Sequence, residues 1–281
     1  MAILTYNGTP LFCTEGGAER FSSTWSTKAW TGLTSFDGAQ IWTDGENIYY
    51  SYFSDQYVLN KATSTWSQKT WNGLSSFYGG SIWTDGNKIY CSFSGMGSGQ
   101  YVLNKSTSTW STKTWTGLTS FNGGSVWTDG NNIYYSHGSD QYVLNKSTSK
   151  WTAKTWNGLT YFYGGDIWTD GNNIYYSYRS TQYVLNKSTS TWTAKTWNGL
   201  SNFDGSSIWT DGENIYCSSG STQYVLNKAT STWSTKTWSG LTSFYGSYVW
   251  KDGENIYYSN SSTQYSLNKV TPPSFAIHYN P

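Results

Sequence analysis

Short runs rich in Trp, Ile, Tyr and Val recur along the whole 281-residue chain, each bounded by Asp-Gly, Asn-Gly or Ser/Thr clusters. Apolar runs of this length between turn residues predict β-strands. The segment 165–205 displays one full unit. Asp166 to Thr169 reads as a first strand, A. Asp170-Gly171 is a hairpin signal, because glycine accepts the positive φ of a tight turn. Asn173 to Tyr178 reads as strand B, and Gln182 to Asn186 as strand C. Ser188-Thr189-Ser190 makes the next turn, strand D runs from about Thr191 to Trp197, and Asn198-Gly199 closes the unit. Helical periodicity is absent. No apolar run reaches the roughly 18 residues of a membrane-spanning helix.

The unit repeats. Trp-Thr-Asp-Gly begins at Trp42, Trp83, Trp127, Trp168 and Trp209, and Trp250 begins the variant Trp-Lys-Asp-Gly. Successive copies therefore lie 41 or 44 residues apart. Four strands in a unit of about 40 residues is the arithmetic of a β-propeller blade. Leucine-rich repeats are shorter, and ankyrin or tetratricopeptide units are helical. The fold class expected is all-β, one propeller domain over residues 1–281.

The blade count rests on the two ends. Tyr6-Asn7-Gly8 matches the A–B turn, Pro10-Leu11-Phe12-Cys13 matches strand B, and Trp25 to Trp30 matches strand D. Residues 272–279 read as a drifted strand D of the last copy. Seven four-stranded antiparallel blades are expected on this basis, over approximately 2–38, 39–79, 80–123, 124–164, 165–205, 206–246 and 247–281. The alternative is six blades, with Trp25–Trp30 clasping the last one and residues 1–22 as an appendage.

Ile174-Tyr175-Tyr176, followed by Leu185-Asn186-Lys187 and Trp192, resembles the second strand and later part of a kelch repeat, and Gly16-Gly17 resembles its diglycine. The other Gly-Gly pairs, Gly79-Gly80, Gly123-Gly124 and Gly164-Gly165, stand before strand A instead, so the resemblance is kelch-like and architectural. It implies a propeller and leaves function to be argued from the site. Copies this alike also resemble tandem blades of bacterial and phage surface or tail-associated proteins, which makes a cell-surface or virion-associated setting one implication. A designed or recently amplified sequence would look the same.

Composition narrows the function. Charge is nearly balanced, 17 Lys+Arg against 16 Asp+Glu, so the electrostatic case for nucleic acid or an anionic membrane surface is missing. Aromatic residues make up 19% and charged residues 12%, which is not the signature of disorder. The N-terminus lacks the basic region and apolar core of a secretory signal. Cys13, Cys91 and Cys217 are odd in number and far apart, so passive reduced thiols are expected, with Cys91 and Cys217 replacing the Tyr found at Tyr50, Tyr135, Tyr176 and Tyr258. The chain has two histidines, His137 and His278, and no nucleophile elbow, phosphate loop or zincin motif. The copper site of some kelch-like oxidases needs paired histidines and a Tyr–Cys cross-link, which this chain does not readily supply. No metal, no cofactor and no enzymatic activity are expected.

Comparing the copies locates their differences. The A–B and C–D turns are nearly constant and share one face of a propeller. The B–C and D–A connections share the other face and vary in Tyr, Phe, Asp, Asn, Arg and His. The candidate ligand residues on that face are Tyr163, Asp166, Tyr178 and Arg179, with Tyr52, Asp55, Tyr78, His137, Asp204, Tyr245 and Tyr248. Aromatic rings beside carboxylates and amides suit sugars and suit protein hot spots. The expected function is a non-enzymatic, monomeric binding propeller with a glycan or protein ligand. One alternative is a scaffold without a ligand, whose loops have drifted. Another is a cryptic glycoside hydrolase using acids among Asp37, Asp166 and Asp204. The repeated Trp residues are expected to fill inter-blade space, and the Asp of each Asp-Gly turn to shape the turn, not to bind calcium.

Overall fold

The computed structural model describes residues 20–36, 40–77, 80–93, 99–118, 121, 125–163, 166–203, 207–244 and 248–270, with the backbone of Thr5–Tyr6 and Thr9–Pro10. Among these residues, six four-stranded antiparallel sheets form the blades of a propeller. Their strands A are Gln40–Thr43 in blade 1, Gly80–Thr84 in blade 2, Ser125–Thr128 in blade 3, Asp166–Thr169 in blade 4, Ser207–Thr210 in blade 5 and Tyr248–Lys251 in blade 6. Blade 4 continues as strand B, Ile174–Tyr178, strand C, Thr181–Asn186, and strand D, Thr191–Ala194. Strands A are innermost: Ile82 of one donates its backbone N–H to the Gln40 side chain of the preceding one at 3.2 Å.

The count is six, not the expected seven, and the ring closes by the clasp alternative. The clasp is shifted from Trp25–Trp30 to Arg20–Thr27, so that residues 20–22 belong to the sheet and Trp30 lies beyond the strand. Blade 6 takes strands A to C from Tyr248–Lys251, Ile256–Asn260 and Thr263–Val270, and its strand D is Arg20–Thr27. Tyr265 pairs with Thr27, Leu267 with Trp25 and Val270 with Arg20, across a bulge between Leu267 and Lys269. Had strand D come from residues 272–279, the N-terminal strand would have been left with an unpaired edge, a standing liability in a sheet protein. Residues 272–279 and Gly16-Gly17 lie outside the described residues, and Thr5–Tyr6 pairs only with Thr9–Pro10.

Each A–B turn is built by its aspartate. In blade 4, Asp170 Oδ1 accepts from the backbone N–H of Asn172 at 2.9 Å and of Asn173 at 2.7 Å. Its Oδ2 accepts from the Tyr175 hydroxyl at 2.9 Å. Burial works to raise this carboxyl, but the hydrogen bonds from Asn173, Tyr175 and Asn172 outweigh it and hold it below the usual carboxylate range. Asp170 therefore spends its acceptors on the turn.

Hydrophobic packing lies between the blades. The cluster between blades 3 and 4 contains Trp127 and Tyr134 of blade 3, Trp156, Leu159 and Phe162 of the connection, and Ile174, Tyr176, Leu185 and Trp192 of blade 4. Trp192 stands edge-on to Trp127 and Trp156, both at 6.0 Å, and to Phe162 at 5.8 Å. Trp25, Trp66, Trp110, Trp151 and Trp233 repeat the role of Trp192, all nearly inaccessible to solvent. The expectation that the repeated tryptophans pack between blades is met, with one correction. Strand D of blade 4 stops at Ala194, so Trp197 is outside it. The chain turns away there to run beside strand D of the next blade, where Asn198 bridges Thr232 and Trp233 donates its N–H to the Asn198 carbonyl at 2.8 Å. Cys91 and Cys217 are fully buried and not in a disulfide, and Cys91's thiol is pushed up by burial; Cys13 lies outside the described residues.

Side chains on the turn face lace the ring together. Lys61, Lys146, Lys187 and Lys228 of the C–D turns donate to the carbonyls of Asp252, Asp85, Asp129 and Asp170 in the A–B turns of the preceding blades. Lys105 does the same to Asp44. Lys195 sits 4.6 Å above the Trp197 ring and donates to Ser231 of the next blade at 2.8 Å. Gly158 has a φ of +84°, and a Cβ there would come within 2.0 Å of the Trp192 carbonyl oxygen, whereas Gly171 at +94° faces open space. Gly171→Ala should cost only the left-handed backbone penalty, about 1–2 kcal/mol. Gly158→Ala adds a backbone collision across the blade seam and should exceed about 4 kcal/mol. Urea unfolding of both variants separates the two; equal losses would refute the tight seam.

Candidate ligand-binding face

In blades 1 and 3 to 6 the B–C turns are two-residue hairpins whose first residue takes a left-handed conformation. Gly138 and Gly220 occupy that position at φ of 56° and 55°, and Phe53, Arg179 and Ser261 adopt it at 48°, 51° and 46°. Glycine fits this region freely; a residue with a Cβ does so at a cost. The carbonyl of each turn residue accepts from the D–A connection that follows its blade: Phe77 N–H to Phe53, Phe162 to Gly138, Phe203 to Arg179, Phe244 to Gly220 and Phe36 to Ser261, all at 2.8–2.9 Å. The B–C and D–A segments therefore share one face, as expected. Their ties are backbone hydrogen bonds, which any side chain permits. On the turn face the ties are Asp, Lys, Ser and Thr side chains.

One strip of aromatic rings stands on the loop face. Tyr161 and Tyr163 are 46% and 55% exposed, against a core of aromatics mostly below a tenth. Their ring centroids are 4.2 Å apart. Tyr163 and Tyr178 lie nearly parallel, 15° between planes, at 5.5 Å. The Arg179 guanidinium carbon sits 5.2 Å from the Tyr178 ring centre, a cation–π contact. At the other end Tyr161 lies against Gly138, whose missing side chain leaves room: a Cβ there would be 3.4 Å from the Tyr161 ring. Two anchors fix the strip. Buried Tyr176 donates its hydroxyl to the Tyr163 carbonyl at 2.7 Å, and Gln182 donates to the Arg179 carbonyl at 2.9 Å.

The structure thus joins Tyr163, Tyr178 and Arg179. Asp166 stands apart at the head of the innermost strand of blade 4, paired across to Ser177. Its side chain reaches solvent, yet protein surrounds it on most sides, and that desolvation raises its carboxyl above the usual range. Tyr52 and Asp55 belong to blade 1, on the opposite side of the ring. They line a recess of about 290 Å³ with Leu33, Tyr50 and Tyr57, at the small end of ligand cavities. His137 is exposed at the end of strand B of blade 3, next to Gly138. Tyr78, Asp204, Tyr245 and Asp37 lie outside the described residues, and Tyr248 is described as backbone only. Tyr161 is the residue left out of the sequence-based set. Its signal was present: the corresponding residues are Ser35, Ser76, Ser120, Asn202 and Ser243.

A second recess, about 300 Å³, opens at the closing seam among Phe21, Asp211, Glu213, Lys236 and Trp238. It lies on the turn face, where Arg20–Thr27 stands in place of a C–D hairpin. Among the described residues no cluster of His, Cys, Asp or Glu has the arrangement of a metal site, and no helix is long and apolar enough to cross a membrane.

No protein-family model and no curated protein matches the chain. Solved structures do. The chain is similar to the extracellular domain of the putative hybrid two component system BT4673 from B. thetaiotaomicron, with 12% identity and a TM-score of 0.54 over 83% of this chain. The match spans only 34% of that protein. The chain is also similar to YjhT, with 9% identity and a TM-score of 0.58, covering 88% of this chain and 96% of the other. At these identities the likeness shows the fold alone.

Asp166 supplies a pH test of the site. A carboxyl whose folded-state pKa is raised weakens the fold as pH rises through that pKa and costs nothing where it is protonated in both states. Asp166→Asn should therefore melt higher than the parent chain at pH 7, with the gap closing as pH falls below about 4, near the unperturbed carboxylate pKa. Melting curves of both proteins from pH 3 to 7 check this. A variant that melts lower at pH 7 would mean the carboxylate is stabilised where it stands.

Proposed function

We propose that this chain is a non-enzymatic, kelch-like binding propeller that presents its B–C and D–A face to a glycan or protein ligand. One observation carries the reading. Arg179 and Phe53 hold left-handed turn positions that Gly138 and Gly220 fill in other blades, and each extends a side chain beside a tyrosine, Tyr178 or Tyr52. A left-handed residue also stands in each C–D hairpin, where it is always serine (Ser64, Ser108, Ser149, Ser190 and Ser231). What supports the reading is therefore the choice of a large side chain, Arg or Phe, at a turn position that glycine fills elsewhere on the same face. The aromatic and guanidinium groups gathered at Tyr163, Tyr178 and Arg179 supply stacking surface and a forked donor. Hydrolysis would need a second carboxyl roughly 5–9.5 Å from Asp166. The two acids that sequence offers for it, Asp37 and Asp204, have no described position.

The ligand-free scaffold also has an observation in its favour. Because the loop face is tied by backbone bonds, its side chains drift at little structural cost. Arg179→Gly separates the readings. The variant should keep its thermal stability, since glycine prefers that turn position, and should weaken binding of any glycan or protein ligand about tenfold or more. Lys187→Ala, on the turn face, should leave binding intact while the protein remains folded. Unchanged binding in Arg179→Gly with loss in folded Lys187→Ala would assign the ligand to the wrong face here.

A further inference from the structure

Among the described residues the aromatic strip occurs once in a ring of near-identical blades. Tyr161 corresponds to Ser or Asn in every other copy, Tyr178 to Tyr52, Phe93, His137, Ser219 and Asn260, and Arg179 to a basic residue nowhere else. Three tyrosines run side by side, among the described residues, at the blade 3–4 junction alone, seated on Gly138 at one end and capped by Arg179 at the other. We infer that this strip is a carbohydrate-binding site, one per chain, which packs a pyranose ring against the outward side of the Tyr161–Tyr163–Tyr178 ladder and bonds its hydroxyls to phenol and guanidinium groups. The inference rests on the loop face being the ligand face.

Three observations select a sugar. First, the rings are open to solvent and anchored from below. The Tyr176 hydroxyl holds the Tyr163 carbonyl, and the Arg179 carbonyl receives two hydrogen bonds, from Phe203 and Gln182. A preorganised platform loses little entropy on binding. Second, the apolar surface is small. A tyrosine offers on the order of 200 Å², so two rings about half exposed present roughly 200 Å² together. A protein partner covers on the order of 800 Å² with an apolar centre. The neighbouring loops add His137 and Asp140 with Ser, Thr, Gly and Asn, not the apolar surround such a centre needs. Third, each apolar face has a polar tip next to it. The phenol oxygens donate and accept, and a guanidinium carries five donors, enough for a sugar hydroxyl beside any existing partner. The tryptophans, by contrast, are buried between blades and have no face to offer.

The test uses the full chain on a printed array of neutral hexose, N-acetylhexosamine and uronate-containing oligosaccharides, then titration calorimetry with the best binder. The expected result is one bound oligosaccharide per chain, with affinity reduced at least tenfold by Tyr163→Ala and by Tyr161→Ser, the residue other copies carry. Lys187→Ala should bind as the parent does and melt somewhat lower, having lost its bond to the Asp129 carbonyl, whereas the tyrosine variants should melt as the parent does. Stoichiometry near six would overturn the single site. Loss of affinity in Phe53→Ala, across the ring, with none in Tyr161→Ser, would overturn this site and keep the loop face. An array with no bound oligosaccharide would also overturn it, leaving the face to a protein ligand. Loss only in folded Lys187→Ala would overturn both.

Discussion

The strand D tryptophan, wedged between its own blade and the one before, is the contact on which the ring depends. Trp192 touches rings from blade 3 and from the connection into blade 4, so neither blade could bury it alone. Replacing such a side chain with alanine costs on the order of 3–5 kcal/mol in other cores, a large share of the stability of any domain. The same cluster recurs at each seam, which makes the core a ring of interfaces instead of a central mass. Closure follows from that geometry. At the last seam the wedge is Trp25, packed on Trp209, Trp238 and Phe244, and it arrives from the other end of the chain.

The two faces divide the work. Turn-face side chains hold blades in register through the Lys-to-Asp carbonyl and Lys-to-Ser bonds, so their residue types cannot change without loosening a seam. Loop-face segments are held by main-chain bonds, and their side chains are released from that duty. Freedom to vary is what a binding surface needs. The loop face uses it unevenly: Gly at one turn, Arg at the next, and a tyrosine strip at a single junction.

Much of this was legible in the sequence, because the repeat itself encodes the packing. A tryptophan at every strand A and strand D had to serve the same structural end in every copy, and it does. The Asp-Gly turn was readable from its chemistry, and Asp170 spends its oxygens there as a turn former would. The blade count misled for a physical reason. A closing strand separated from its sheet by most of the chain carries the local signature of strand D, and the segment before it imitates a turn and a strand. Trp197 was misplaced because adjacency in sequence hides the point where the chain leaves one sheet to run along the next. Of the candidate residues, Tyr163, Tyr178 and Arg179 are neighbours in the structure. Tyr161 was missed because its ladder runs through space, onto a glycine of the neighbouring blade, and no spacing rule records that contact.

The closure is the most exposed point of this picture. Its direct measure is the denaturant unfolding of a chain lacking residues 1–27, beside a permuted chain that begins at Lys28 and carries Arg20–Thr27 after Val270 through a C–D turn copied from another blade. The truncated chain should lose its cooperative transition, since the sixth blade is left without its strand D and its seam without Trp25. The permuted chain should recover that transition. A truncated chain that unfolds cooperatively at the midpoint of the full protein would contradict a ring closed by the N-terminal strand.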